Sequence, residues 1–357
     1  MPPGRPTPGH ELPMTRALTV LWLLSSGLLL AADGSPSARS FLKRSPDWFR
    51  GAEAQRIADN LVSWQAVNGA WEEQKDLVSR PFAGDRSTLE GTFDDKATVD
   101  EIRFLARVVA AGEARPAHRA AFDRGLASVL GSQYENGGWP HYPPPAKGYH
   151  RFITFNDNTV ARLMWLVREV AESPVYGFVE PRTRSACRGA FDRGIECILR
   201  CQIVVDGRPT VWCAQHDERD FSPRPARSYE LASFSGMESV ELTRLLMSIE
   251  RPTPEIRAAV EGAVAWLDAH RIRGIRVENH ETAAGEDRVV VADASAPDLW
   301  ARFYDLRTGR PLFSGRDGVP RESLADIERE RRVGYSWYGE YPRDLLAKDY
   351  PVWKQRR

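Results

Sequence analysis

The sequence has no excess of either charge: 49 Lys and Arg residues are matched by 49 Asp and Glu, a formal net charge of zero. That argues against nucleic acid held mainly by a strongly basic surface, although local patches stay open, and no nucleic-acid partner is expected. Long apolar runs are also nearly absent. The one such run, residues 17–32 (ALTVLWLLSSGLLLAA), follows Arg16 and ends in small residues, the order of a secretory signal. It falls short of the roughly 20 residues that span a bilayer, so the chain is expected to be secreted or periplasmic, with no membrane contact after signal removal. A retained anchor is the alternative, and Met14 is an alternative start.

Cysteine is scarce as well. Cys187, Cys197, Cys201 and Cys213 are the only four, and without a Cys-x-x-Cys knuckle they do not read as a zinc site. Export permits disulfides among them in three pairings; buried free thiols, with Cys197 and Cys201 at i, i+4 on an apolar helix, are the other reading. Strand-like alternation is limited to 288–292, read as one edge of a small hairpin beside 300–306. Apolar material is not lacking: 42% of residues are hydrophobic and eleven are Trp, enough for one large core.

A repeat organises what is there. Gln65, Asn68, Gly69 and Trp71 recur as Gln133, Asn136, Gly137 and Trp139, and again as Gln202, Asp206, Gly207 and Trp212, with the Gln residues 68 and 69 positions apart. One more step lands near His270, after a helical run containing Trp266, but no Asn-Gly-x-Trp follows it, so a fourth copy is degenerate at best. Between the marks, 98–111, 117–130, 159–171, 185–199, 239–249 and 255–269 carry apolar residues at three- and four-residue steps, the helical period. Two helices per period describe an α/α hairpin that cannot bury its apolar face alone, so hairpins must stack. The expected fold is mostly α: an incomplete α/α toroid of helical hairpin repeats, with a smaller irregular region carrying short strands. The expected division is a signal over 1–32, a linker over 33–45 and one catalytic domain over 46–357, with the toroid core at about 46–270 and the irregular part at 271–357.

Each Gln…Trp motif ends a helix, and about 24–29 residues follow before the next, longer than ordinary connections. Equivalent loops of a repeat emerge at one end, so these should converge on one cleft. Two helix starts there are alike: Thr92-Phe93-Asp94-Asp95-Lys96 and Thr154-Phe155-Asn156-Asp157-Asn158. N-capping accounts for one acid before a helix. Asp94 and Asp95 together with Asp157 exceed that need, and as hard oxygen donors they suit Ca²⁺. The third loop holds Gln215, His216, Asp217, Arg224, Arg227 and Glu230, and the C-terminal part adds Arg316, Arg331, Arg332, Tyr335 and Trp337. Guanidinium groups match carboxylates in bidentate fashion, so the set fits a carboxylate-rich ligand, with exposed Trp and Tyr as platforms for sugar rings.

Over residues 64–346 the sequence resembles the pectate lyases of polysaccharide lyase family ten, through six blocks in order: NGGWP ending at Pro140, TFNDNTV at Val160, WCAQHDE at Glu218, PARSYE at Glu230, GRDG at Gly318 and ERRVGYSWYG at Gly339. The resemblance implies a partial α/α toroid with a wide cleft, bound Ca²⁺, and cleavage of polygalacturonate or another acidic polysaccharide by β-elimination, carried out by a monomer. It implies Asp94, Asp95 and Asp157 as metal ligands, Asp94 also as a substrate contact, Arg227 as the catalytic base, and Arg316 with Arg331 or Arg332 as carboxylate binders. The sequence departs from the family's Ile-Asp-Asn-Gly, which reads Phe93-Asp94-Asp95-Lys96 here.

In such an elimination the C5 hydrogen of a uronate is removed while cations neutralise the adjacent carboxylate. A guanidinium is an unusual base because it normally stays protonated; nearby calcium and arginines are expected to disfavour its charge and give an alkaline optimum. Among histidines, His141, His150 and His216, the last beside Asp217, are the ordinary bases to compare. The rivals are a glycosidase using Asp157, Asp217 or Glu230 as acid and base, and a non-catalytic acidic-glycan-binding protein of the same fold. A terpene-cyclase-like toroid also uses Gln…Trp repeats, but its substrates call for an Asp-rich box or an apolar aromatic pocket, and the arginines recommend neither. Unsaturated product distinguishes a lyase from all of them.

Overall fold

A computed structural model describes residues 37–144 and 146–356; the signal expected over residues 1–32 lies outside them. Seven long helices form the frame: α1 (Ala52–Trp64), α2 (Val99–Ala110), α3 (Pro116–Gly131), α4 (Thr159–Glu172), α5 (Pro181–Cys201), α6 (Glu238–Met247) and α7 (Pro254–Ala269). The six expected from periodicity are present, with ends displaced by a few residues at most. α3, α5 and α7 each begin with Pro at the first helical position, where its fixed φ is compatible with a helix and its missing N–H costs nothing. α2 packs on α3, α4 on α5 and α6 on α7, while α2 also touches α4, α4 touches α6, α3 touches α5 and α5 touches α7. The even-numbered helices are one layer and the odd-numbered the other. α4 buries Val160, Leu163, Met164, Leu166, Val167 and Val170, wrapping much of its circumference, as a helix with packed neighbours on several sides must.

The repeated motif is a latch between turns of this stack. Gln65 Nε2 donates to Gly69 O (2.8 Å) and Ala121 O (2.9 Å), Gln133 Nε2 to Gly137 O (3.0 Å) and Ala190 O (2.8 Å), and Gln202 Nε2 to Thr210 O (2.7 Å) and Ala259 O (2.9 Å). One amide thus closes its own turn and ties it to the next odd helix. The indoles do the complementary job: Trp71, Trp139 and Trp212 donate Nε1–H to Leu61 O (2.7 Å), Val129 O (2.8 Å) and Ile198 O (2.7 Å). These carbonyls lie toward the C-terminal ends of α1, α3 and α5, where acceptors otherwise run out of partners. Gly69 and Gly137 have φ of 86° and 92°, and a Cβ there would stand 2.7 Å from Arg124 O and 2.0 Å from Arg193 O, so each turn requires glycine.

The fourth copy is present after all, without its motif. Trp300 Nε1 donates to Leu267 O of α7 (2.7 Å), the position held by the other three indoles, and Trp266 does not take that role. What delays Trp300 is an inserted antiparallel hairpin, Ile275–Thr282 with Gly285–Ala292. The strand read at 288–292 is real, but its partner is 275–282 rather than a neighbour at 300–306. That first strand is largely exposed, so no buried face marked it in the sequence. Trp300–Ala301 instead pairs with Tyr338–Gly339, and Phe303–Asp305 with Ser233–Ser235, which fastens the C-terminal part to the mouth of the toroid. A small second core of Ala214, Tyr229, Phe303, Leu312, Phe313, Leu324, Ile327 and Trp337 sits beneath it.

All four cysteines are buried and unpaired, and burial pushes the Cys187 thiol up to about 12. Among the described residues, no helix is long and apolar enough to cross a membrane.

Candidate active site

The latch residues determine what faces the cleft. Two positions after each Trp stand Glu73, His141, Ala214 and Arg302, and three of these present their carbonyl to the helix-start turn of the preceding repeat: Phe93 N donates to His141 O (3.1 Å), Phe155 N to Ala214 O (2.8 Å) and Gly236 N to Arg302 O (2.8 Å). Each side chain at this position is therefore delivered beside the turn that precedes α2, α4 or α6.

Those turns are the two expected acidic ones and a third. Asp94–Lys96 and Asn156–Asn158 are single 3₁₀ turns, with φ of 33°, 81° and 71° at Asp95, Lys96 and Thr98, and 48° and 64° at Asp157 and Asn158. Positive φ at so many non-glycine residues is strain of the kind that gathers at functional sites. The capping explanation fails for these acids, since neither α2 nor α4 receives a side-chain cap.

Asp94 Oδ2 lies 2.7 Å from His141 Nε2. Burial works against its carboxylate, but His141, the Asp95 amide and the field of Arg227 together hold its pKa below the ordinary value. Glu73, beside Asp94, is pushed up to about 7 by burial and by that neighbouring carboxylate. Asp95 is half-exposed, 3.3 Å from Lys96 Nζ and 3.9 Å from Arg162 Nη1. Asp157 accepts from Asn156 Nδ2 (2.6 Å) and from Arg302 Nη2 (3.0 Å). Arg302 is buried and also grips the fully buried Glu238 at 2.6 Å. Burial opposes its charge, yet Glu238, Tyr335 and Asp157 keep the guanidinium protonated more firmly than usual.

Arg227 enters from the third loop and is within electrostatic reach of Asp94, Tyr149 and His150. The sequence-predicted Asp94 and Arg227 thus share one neighbourhood. Arg227 donates Nε to Glu230 Oε2 (2.8 Å) and Nη2 to Glu230 Oε1 (2.6 Å), and Tyr335 Oη donates to Glu230 Oε1 (2.7 Å). Burial lowers the pKa of Arg227, but the Glu230 pair outweighs it and the net shift is upward. The expectation of a neighbourhood that disfavours its charge is corrected here: its nearest charged neighbour is a carboxylate rather than a cation.

Arg316 and Arg331 converge on the exposed Glu330, and the Arg331 guanidinium lies 4.6 Å from the Tyr229 ring centroid, while Arg227 lies 5.1 Å from the same ring. Arg332 turns away, paired with Asp287 of the hairpin (2.9 and 2.7 Å). Of the two, Arg331 lies on the side of Tyr229 and Arg227, and Arg332 on the side of the hairpin. His216 is fully buried, accepting from Cys213 N at Nε2 (3.0 Å) with Nδ1 2.7 Å from Phe221 O, and burial lowers it to about 4. It has no route to a substrate, and Asp217 is committed to Arg224 (2.9 Å). The tryptophans expected as sugar platforms are structural: Trp212 and Trp337 are 0% and 1% exposed.

Glu73, Arg302 and Glu238 escaped the sequence reading. The signal was available for Glu73, which occupies the Trp-plus-two position of a repeat read from the sequence; Arg302 occupies it in the fourth copy, which the inserted hairpin concealed. The donor set of Asp94, Asp95 and Asp157 is all carboxylate oxygen and suits a hard cation, but each acid already faces a protein side chain, His141, Lys96 and Arg302 respectively, and no ready-made group of three metal-binding side chains exists among the described residues.

The sequence matches the family profile described as pectic acid lyase over residues 65–346. No curated protein matches it. Among solved structures, it is similar to a family 10 polysaccharide lyase from Cellvibrio cellulosa at 33% identity and a TM-score of 0.74, covering 91% of this chain and 99% of that one. A mutant of a family 10 polysaccharide lyase from Cellvibrio cellulosa, in complex with trigalacturonic acid, gives 32% identity and a TM-score of 0.74, covering 86% and 96%.

Proposed function

The chain belongs to the pectic acid lyase family and is a polysaccharide lyase that cleaves pectate, and from that premise we propose how its cleft does so. The observation that carries the reading is the convergence of Asp94 and Arg227 on one electrostatic neighbourhood, with Arg316 and Arg331 beside it on Glu330.

A galacturonate chain enters with its carboxylates toward the arginines. Arg316 and Arg331 exchange the solvent-exposed Glu330 for a substrate carboxylate, keeping a planar, bidentate match at little desolvation cost. Asp94, Asp95 and Asp157 would hold Ca²⁺, which supplies positive charge to the uronate carboxylate as the C5–H bond weakens. His141 orients Asp94, and the Arg302–Glu238 pair orients Asp157, so two of the three acids are set by buried partners before substrate arrives. Arg227 removes the C5 proton, the freed electron pair forms the C4–C5 double bond as the C4–O bond breaks, and the departing oxygen takes a proton from water to become the new chain end's hydroxyl. The Glu230 pair opposes deprotonation of Arg227, so the neutral base is scarce at neutral pH and turnover should climb into the alkaline range. Residues 17–32 support export, which places the enzyme where plant polysaccharide is found.

Replacing Arg227 by Lys tests the assignment. The variant should bind oligogalacturonate with near wild-type affinity and lose nearly all turnover; retention of wild-type rates would remove Arg227 from the base role.

A further inference from the structure

We propose that a second cavity, separated from the cleft by the strand pair Ser233–Ser235 and Phe303–Asp305, is an auxiliary binding site for uronate residues of the polymeric substrate. The cavity has a volume of about 560 Å³ and opens among Asp206, Arg208, Phe234, Trp266, His270 and Arg307, a size within the range of small-ligand sites. It lies at the same end of the toroid as the cleft, because its walls are the turn after α5 and the C-terminal end of α7. The dividing strands serve both sites. Ser235 hydrogen-bonds Glu238 of the cleft, while Phe234, next to it, lines the second cavity.

Its charge is what singles it out. Arg227, Arg302, Arg316, Arg331 and Arg332 are each held by a carboxylate. Arg208 and Arg307 are exposed, and no ion pair or hydrogen bond of their side chains is found among the described residues. Asp305 lies within the field of Arg307, but it is turned into its own loop, with Oδ1 accepting from Arg307 N (3.1 Å), Thr308 N (2.8 Å) and Thr308 Oγ1 (2.9 Å). Asp206 is the one carboxylate in the lining, so two guanidinium groups face one acid and the site is cationic. Its floor is aromatic and fixed: Trp266 and His270 stack at 3.8 Å with a 13° interplanar angle, and His270 Nδ1 is held 2.7 Å from Trp266 O. Burial lowers the pKa of His270, which leaves the arginines as the source of charge. Guanidinium groups without a hydrogen-bonded acid, in the same lining as an aromatic pair, match a sugar that carries a carboxylate: the ring's C–H faces meet the aromatics while the arginines fork onto the acid.

The proposal rests on pectate being the substrate, and the test separates the two. Arg208→Gln with Arg307→Gln, and the charge-reversed Arg208→Glu with Arg307→Glu, are made in the full chain and in an Arg227→Lys background that leaves the polymer uncut. Retardation of the Arg227→Lys proteins is measured in native gels containing polygalacturonate, with a neutral polysaccharide as control, and cleavage of trigalacturonate is measured in the otherwise wild-type chain. The expected result is a several-fold loss of polymer retardation in the Gln pair, a larger loss in the Glu pair, and unchanged trimer turnover and melting temperature. Undiminished retardation in both pairs would overturn the auxiliary site, as would a fall in trimer turnover equal to the loss of retardation. Failure of the wild-type chain to cleave the trimer at all would instead overturn the pectate reading beneath it.

Discussion

Lys96 is the residue at which this chain most visibly goes its own way. It stands at φ 81°, a conformation in which glycine is unstrained, and its ammonium lies 3.3 Å from Asp95 Oδ1. Any cation that Asp95 helps to hold has to compete with this built-in partner, and like charges at such a separation repel. Lys96→Gly should remove both the strain and the competitor. Calorimetric titration of the protein with calcium is predicted to show a several-fold tighter site in the variant; equal affinities would mean that Asp95 is not a ligand. The acids themselves were legible in the sequence because two of them precede one helix. Their partners were not. Nothing in the local pattern around Arg302 announces that it will hold Asp157, 145 residues earlier, because that pairing exists only once the C-terminal strands dock. The same limit explains Arg227: the sequence placed it in a loop crowded with arginines, and folding gave it Glu230 three residues away as its nearest charge.

Among the elements, the latches hold the stack in register. At Gly137 the carbonyl of Arg193 would lie 2.0 Å from an added Cβ, at a φ of 92°. Gly137→Ala combines a steric clash with a strained backbone, and a loss of roughly 2–4 kcal/mol is expected, read as a lower denaturation midpoint with an unchanged m-value. A second element-level test lies on α2. Glu101 is buried with Oε2 lacking a partner, and burial raises its pKa from 4.5 to about 8. Its folded state therefore holds a proton that the unfolded chain releases above about pH 4.5, so this residue costs stability increasingly as pH rises from there to about 8. Glu101→Gln should match the wild-type melting temperature near the lower limit and exceed it increasingly toward the upper one, by an amount on the order of a few kcal/mol; a difference independent of pH would contradict the assignment. Helix positions were legible throughout because their apolar periodicity is strong. The hairpin strand at 275–282 was not, since both its faces meet solvent and no alternation was imposed on it.

At the scale of the whole molecule, the toroid and the chemistry are one problem. The latch that closes each repeat also sends the residue two places beyond its Trp to the helix-start turn of the preceding repeat, which sets His141 on Asp94 and Arg302 on Glu238 at the start of α6, from where the Arg302 guanidinium reaches Asp157 one repeat further back. The repeat read from Gln and Trp spacing therefore contained the site's plan for three copies, and the inserted hairpin hid the fourth. We propose that this assembled cleft cleaves pectate by calcium-assisted elimination rather than by hydrolysis. Near-ultraviolet absorbance during digestion of polygalacturonate measures it most directly. It should rise in step with chain scission, stop on addition of a chelator, and resume when calcium is restored; scission that proceeds with no absorbance, or that ignores the chelator, would contradict it.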